Sequence, residues 1–170
     1  MKYYITKSQY KILLESETSL QKYGAVLVGG LEHRAGDKPL SEQIVLLKSG
    51  LGGGVNVKGF HHYDSMDNVS ELLKQNPNIP VYLFSEGCKH SRELSNDTNI
   101  DLYRLYIIEP YAPGRFTNSS VKDAVSNGVP PENVFVGPSA GRGAGIVEGA
   151  SSSKAKSHWD ALTTVASMTK

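Results

Sequence analysis

The sequence predicts an α/β fold: a mostly parallel sheet with helices on both faces. Three observations carry this. Short apolar runs recur along the chain, each ending abruptly at a glycine, histidine, serine or acidic residue. Between them lie stretches with apolar residues at three-to-four spacing, bounded by helix caps and breakers. The links are short, so successive strands pair in parallel through helical crossovers.

Each element follows from its residues. Residues 1–24 read as a preface to a domain over residues 25–170. In the preface, Lys2–Thr6 has the character of a short strand, and Ser8 caps a helical stretch with Tyr10, Leu13 and Leu14 on one side. Its Ile5-Thr6-x-x-Gln9-Tyr10-x-x-Leu13-Leu14 pattern resembles a short leader of assorted phage-encoded proteins. Ala25–Val28 is continuous and apolar, closed by Gly29 and Gly30, as in a strand buried on both faces. Ser41 caps a helix through Ile44, Val45, Leu46 and Leu47 that Gly50 stops. Val55–Phe60 is the next strand. Asp67 caps a helix through Val69, Leu72 and Leu73 that ends before Pro77. Pro80 opens the Val81–Phe84 strand, and Ser85–Leu94 is helical. Leu102–Ile108 is a strand, Val121–Val125 a short helix, Val134–Val136 a strand and Trp159–Met168 the closing helix. Gly50–Gly54 and Ser151–Ser153 read as flexible or turn segments.

Composition narrows the function. At 170 residues the chain suits one domain with a substantial core. A net charge of +1 supplies no basic field for nucleic acid or anionic lipid. The lone Cys88 excludes an internal disulfide framework and disfavours structural zinc. No apolar run approaches the ~20 residues that span a bilayer, and the N-terminus lacks the apolar block of a signal peptide. These features predict a soluble protein of a reducing compartment, cytoplasmic or, alternatively, part of a virion. There is neither Gly-x-Gly-x-x-Gly nor a P-loop, so no cofactor is expected. His61 and His62 with Asp64 are the nearest approach to a metal site, but adjacent strand residues point to opposite faces, so no metal is expected. Cys88 reads as a small buried hydrophobe. The Lys89, His90 and Arg92 stretch reads as a solvated face.

Sites in parallel sheets lie beyond the carboxyl ends of the strands. Those ends carry Gly30, His61 and His62, Ser85, Glu109 and Gly137. A serine hydroxyl becomes a nucleophile when a histidine takes its proton, and the histidine needs a carboxylate to hold its tautomer. Ser85, Glu109 and His158 occur in that order after successive strands. Ser85 sits where an apolar run turns into a helix, a junction that holds a side chain rigidly beside free backbone N–H groups. The Glu86 N–H and the backbone at Gly30 and Leu31 are the candidate oxyanion donors.

On these residues the chain resembles a minimal α/β-hydrolase, in the size range of small lipases and cutinase-like enzymes. Val26–Gly30 resembles the oxyanion strand and loop, Pro80–Leu94 the nucleophile strand and elbow, and Ser157-His158-Trp159 the histidine turn. The resemblance implies a serine esterase or acyl hydrolase using Ser85, Glu109 and His158 on a small ester or acyl substrate. Two departures stand against the pattern. Leu83 replaces the first glycine of Gly-x-Ser-x-Gly in Leu83-Phe84-Ser85-Glu86-Gly87. Ala144 stands where the family often has its aspartate, leaving Glu109 at the alternative position one strand earlier. They motivate a second reading, a catalytically degenerate binding or assembly domain with protein partners, such as a phage structural component. Gly137-Pro138-Ser139-Ala140-Gly141 matches Gly-x-Ser-x-Gly in full. It resembles the nucleophile of serine peptidases with a glutamine-amidotransferase-like fold, so Ser139 is the alternative nucleophile.

Overall fold

The structure, a computed structural model, describes residues 6–9, 22–110, 115–137 and 147–170. The expected Lys2–Thr6 strand, most of the preface helix, and Ser139 and Ala144 lie outside the described residues.

Six parallel strands make one sheet: β1 (Ala25–Val28), β2 (Val57–Phe60), β3 (Val81–Phe84), β4 (Leu105–Ile108), β5 (Val134–Val136) and β6 (Ser151–Ser152). Their order is β2-β1-β3-β4-β5-β6. The chain therefore moves one way from β1 to β2 and the other way from β3 onward. The ends of β1 and β3 flank the reversal, where open parallel sheets form a crevice.

Alternation along the strands assigns the two faces. Val26, Val28, Val81, Leu83, Leu105, Ile107 and Val134 form one core with α2 (Met66–Gln75), α3 (Ser91–Ser95) and α4 (Arg115–Ser126). Ala25, Leu27, Tyr82, Phe84, Ile108 and Phe135 form the other with α1 (Leu40–Gly50) and α5 (Asp160–Thr169). Each fully buried aliphatic side chain contributes roughly 1.5–3 kcal/mol relative to exposure. Gly50 brings α1 against α5, since a Cβ there would lie 2.3 Å from the Thr163 carbonyl oxygen.

Several boundaries differ from the sequence expectation, each for a local reason. Helix α1 starts at Leu40 rather than at Ser41, with Pro39 at its N-cap in an extended conformation, φ −61° and ψ 155°. Helix α2 is capped by Ser65, whose Oγ accepts the Asp67 N–H at 3.3 Å. Residues Leu102–Arg104 form a 3₁₀ turn capped by Asp101, so β4 starts only at Leu105. Helix α4 begins at Arg115, well before Val121; its buried stripe includes Thr117 and Ser120 beside Val121 and Ala124, polar residues that hydropathy does not count. Ser151 and Ser152 are an edge strand rather than a flexible segment. The chain after Ser85 forms a 3₁₀ helix over Ser85–His90 before α3, not a continuous α-helix.

Among the described residues, no helix is long and apolar enough to cross a membrane.

Candidate active site

Strand β3 is buried along its whole length and delivers Ser85 to the crevice with φ of 54°. A left-handed backbone is unfavourable for a residue bearing a Cβ and persists only where the surroundings impose it. Here they do. Gly87 packs against the end of β1, where an added Cβ would lie 2.4 Å from the Val28 oxygen and 2.8 Å from the Gly29 oxygen. Gly30 comes equally close to the serine: its Cβ would fall 2.8 Å from Ser85 Cβ. The Cys88 thiol, fully buried and pushed up in pKa chiefly by desolvation, donates to the Leu83 and Ile108 carbonyls at 3.4 Å each. Leu83, the departure at the elbow, is itself fully buried in the core on the α2–α4 side.

Gly30 N–H donates to Gln43 Oε1 at 2.8 Å, and Gln43 Nε2 donates to the Lys38 carbonyl at 2.8 Å. The N–H expected to face an oxyanion is therefore engaged, and Gly30 acts through its lack of a side chain. Leu31 lines the same cavity as Ser85, and Glu86 follows Ser85 in the first turn of its helix, where backbone donors lack intrahelical acceptors.

Glu109 follows β4 with φ of 49° and is completely buried. Its N–H is held by the Phe135 carbonyl at 2.8 Å. The two carboxylate oxygens have separate partners: Oε2 meets His158 Nδ1 at 3.3 Å, and Oε1 accepts from Ser153 Oγ at 3.3 Å. His158 lies between β6 and α5 with its ring stacked on Phe84, centroids 4.6 Å apart, and Trp159 edge-on at 5.3 Å. With one ring nitrogen facing a carboxylate, the other is left to serve as a base.

Ser85 and His158 line one cavity of about 240 Å³, closed by Leu31, Ala35 and Trp159 and bearing Arg34 and Asp37. Asp37 Oδ2 accepts the Arg34 N–H at 2.7 Å, closing a turn at the mouth. No hydrogen bond joins Ser85 Oγ to His158 among the described residues. Catalytic hydrogen bonds often tighten only when substrate is bound.

The other sequence candidates separate from this centre. His61 pairs with Glu32 at 2.7 Å and stacks on Tyr63, centroids 4.8 Å apart. His62 has its pKa lowered, first by burial and then by the Lys89 ammonium. His90 is tied to the His62 carbonyl at 2.7 Å, and Arg92 pairs with Asp123, so the basic stretch is partly knitted into the fold. Among the described residues no His, Cys, Asp and Glu cluster is arranged to hold a metal ion.

Sequence reasoning placed Gly137 only as a strand end and missed Ser153, Gln43 and Phe84. Gly137 just after β5 and Ser153 just after β6 lie against Glu109, Gln43 holds the Gly30 loop, and Phe84 is the platform for His158.

The chain matches no protein-family model, no curated protein and no solved structure.

Proposed function

We propose that this protein is a serine hydrolase for small ester or acyl substrates, of the α/β-hydrolase type. Ser85 Oγ attacks the acyl carbon while His158 removes its proton. Glu109 holds the imidazole and stabilises the imidazolium that forms. The developing oxyanion lies toward the Leu31 and Glu86 N–H groups. His158 then protonates the departing alcohol, and water, deprotonated by the same ring, releases the acid from the acyl-serine.

The observation that carries this reading is the buried Glu109–His158 pair sharing a cavity with a serine held at positive φ. A strained non-glycine residue at a strand end is a common mark of a working site. A fluorophosphonate probe with peptide mapping tests it. Labelling of the Ser85 peptide, lost in Ser85→Ala and in His158→Gln, is the expected result. Folded protein with no label at Ser85 overturns it, and label on the Ser139 peptide transfers the chemistry to the peptidase reading.

The open Ser85–His158 hydrogen bond, together with Leu83 at the elbow, supports a second reading. In it the crevice is a binding or assembly surface, such as that of a phage structural component, with no turnover.

A further inference from the structure

We propose that Ser153 is the positioning residue for the acid of this site, and that Gly137 supplies the space in which it works. The inference rests on the serine hydrolase reading above and adds residues to it. Glu109 extends sideways from the end of β4 across the end of β5. A Cβ at Gly137 would lie 1.6 Å from Glu109 Oε1 and 2.3 Å from Ser153 Oγ. The carboxylate thus occupies the volume that a side chain at the end of β5 would fill. Gly137 does not have a positive φ, so space rather than backbone conformation demands the glycine.

Ser153 is fully buried and reaches the acid because β6 pairs with β5: its N–H donates to the Val136 carbonyl at 2.8 Å. Its Oγ also accepts the Ala155 N–H at 3.3 Å. That bond uses an oxygen lone pair, and an ionised carboxylate only accepts. The single hydroxyl proton is therefore directed to Glu109 Oε1. With Oε1 held, Oε2 is the oxygen presented to His158 Nδ1. The same short segment after β6 carries Ser153 and His158, so one strand pairing positions both partners of the acid.

Losing the hydroxyl has two consequences. Oε1 becomes a buried acceptor without its donor, and the carboxylate is free to rotate away from the imidazole. A carboxylate that has turned from the ring stabilises the imidazolium less, which moves the His158 titration to lower pH. Other charged groups near the ring do not change: Arg34 and Asp37 across the cavity, and Lys156 and Asp160 flanking in sequence. The buried Cys88 thiol, which senses the Glu109 charge, also stays as it is.

The test is Ser153→Ala in the full chain, with the exposed neighbour Ser152→Ala as control. Hydrolysis of a p-nitrophenyl ester of a short acid is followed against pH, and the His158 ring is titrated by NMR. The expected result in Ser153→Ala is a kcat lower by roughly tenfold with KM unchanged, as for loss of a group that orients a catalytic partner. The acid limb of kcat/KM and the His158 titration should both move to lower pH, with Ser152→Ala as wild type. An unchanged His158 titration in folded Ser153→Ala overturns the proposal, whether or not the protein hydrolyses esters. Absence of ester turnover and of probe labelling in the wild type, with the titration still shifted, removes the hydrolase reading and leaves the positioning role standing.

Discussion

Two adjacent strand ends face the crevice, and they place their candidate site residues by different means. After β3, Ser85 is held by its own strand and by the turn that follows, with Gly87 and Gly30 allowing the backbone of β1 to close around it. After β4, Glu109 has a similar backbone, φ of 49° against 54° at Ser85. Its side chain, however, is held by Ser153 just after β6 and by His158 farther along, in the room that Gly137 leaves after β5. The serine end is built from contacts close in sequence, apart from β1. The acid end exists only when β5 and β6 have joined the sheet. A nucleophile needs a rigid tip that borders the cavity, which a short turn supplies. A buried carboxylate needs donors on both oxygens, and an edge strand far along the chain delivers one of them.

The largest effect separates chemistry from positioning. Ser85→Ala should reduce ester turnover by on the order of 10⁶-fold, and Glu109→Gln by on the order of 10⁴-fold, measured as kcat on a short-chain ester. Equal losses, or a larger loss at Glu109, would break the division of roles between the two ends.

Next come the glycines that make room. Gly137→Ala forces a Cβ into the Glu109 carboxylate and should cost about 1–3 kcal/mol in urea unfolding, with ester turnover lost as well. Gly30→Ala meets Ser85 Cβ at 2.8 Å, a milder overlap, and should destabilise less. The reverse order would show that the serine end is the tighter one.

A smaller effect tests the backbone at Ser85. If its φ is imposed, Ser85→Gly should stabilise the fold by about 1 kcal/mol in thermal or urea unfolding. Ser85→Ala, which keeps the Cβ, should not show that gain.

The smallest effect is a pH dependence at the end of β2, outside both ends compared. Burial, followed by the Lys89 charge, lowers the His62 pKa below 6.5. The unfolded chain then binds a proton that the folded chain refuses. The contribution of neutral His62 is fully present above 6.5 and is lost as pH falls through the lower folded value. Unfolding curves of His62→Gln between neutral and mildly acidic pH should show a flatter decline than wild type.

The local links of this fold are legible in the sequence. Val81–Phe84 followed by Ser85 predicts a buried strand ending at a sharp turn, because hydropathy runs and strand-end polarity are properties of neighbouring residues. Tyr10, Leu13 and Leu14 predict a helix on the same ground, but lie outside the described residues. The Ser151–Ser153 run misleads, since its polar composition predicts a turn. Two polar residues become a strand there only because the open edge of β5 supplies hydrogen-bond partners. The 3₁₀ form of Ser85–His90 is likewise invisible, and Gly87 within it packs closely on β1.

The sequence by itself determined the α/β class, the strand that ends in Ser85, and the order of serine, acid and histidine along the chain. These depend on periodicity and chain order, which are local or one-dimensional. Only the tertiary structure decided that the Glu109 carboxylate lies in the gap left by Gly137, that Ser153 holds one of its oxygens and His158 meets the other, and that Phe84 carries the imidazole beside Ser85. Those contacts join residues far apart in the chain, and their geometry exists only once the strands have paired and the two faces are covered.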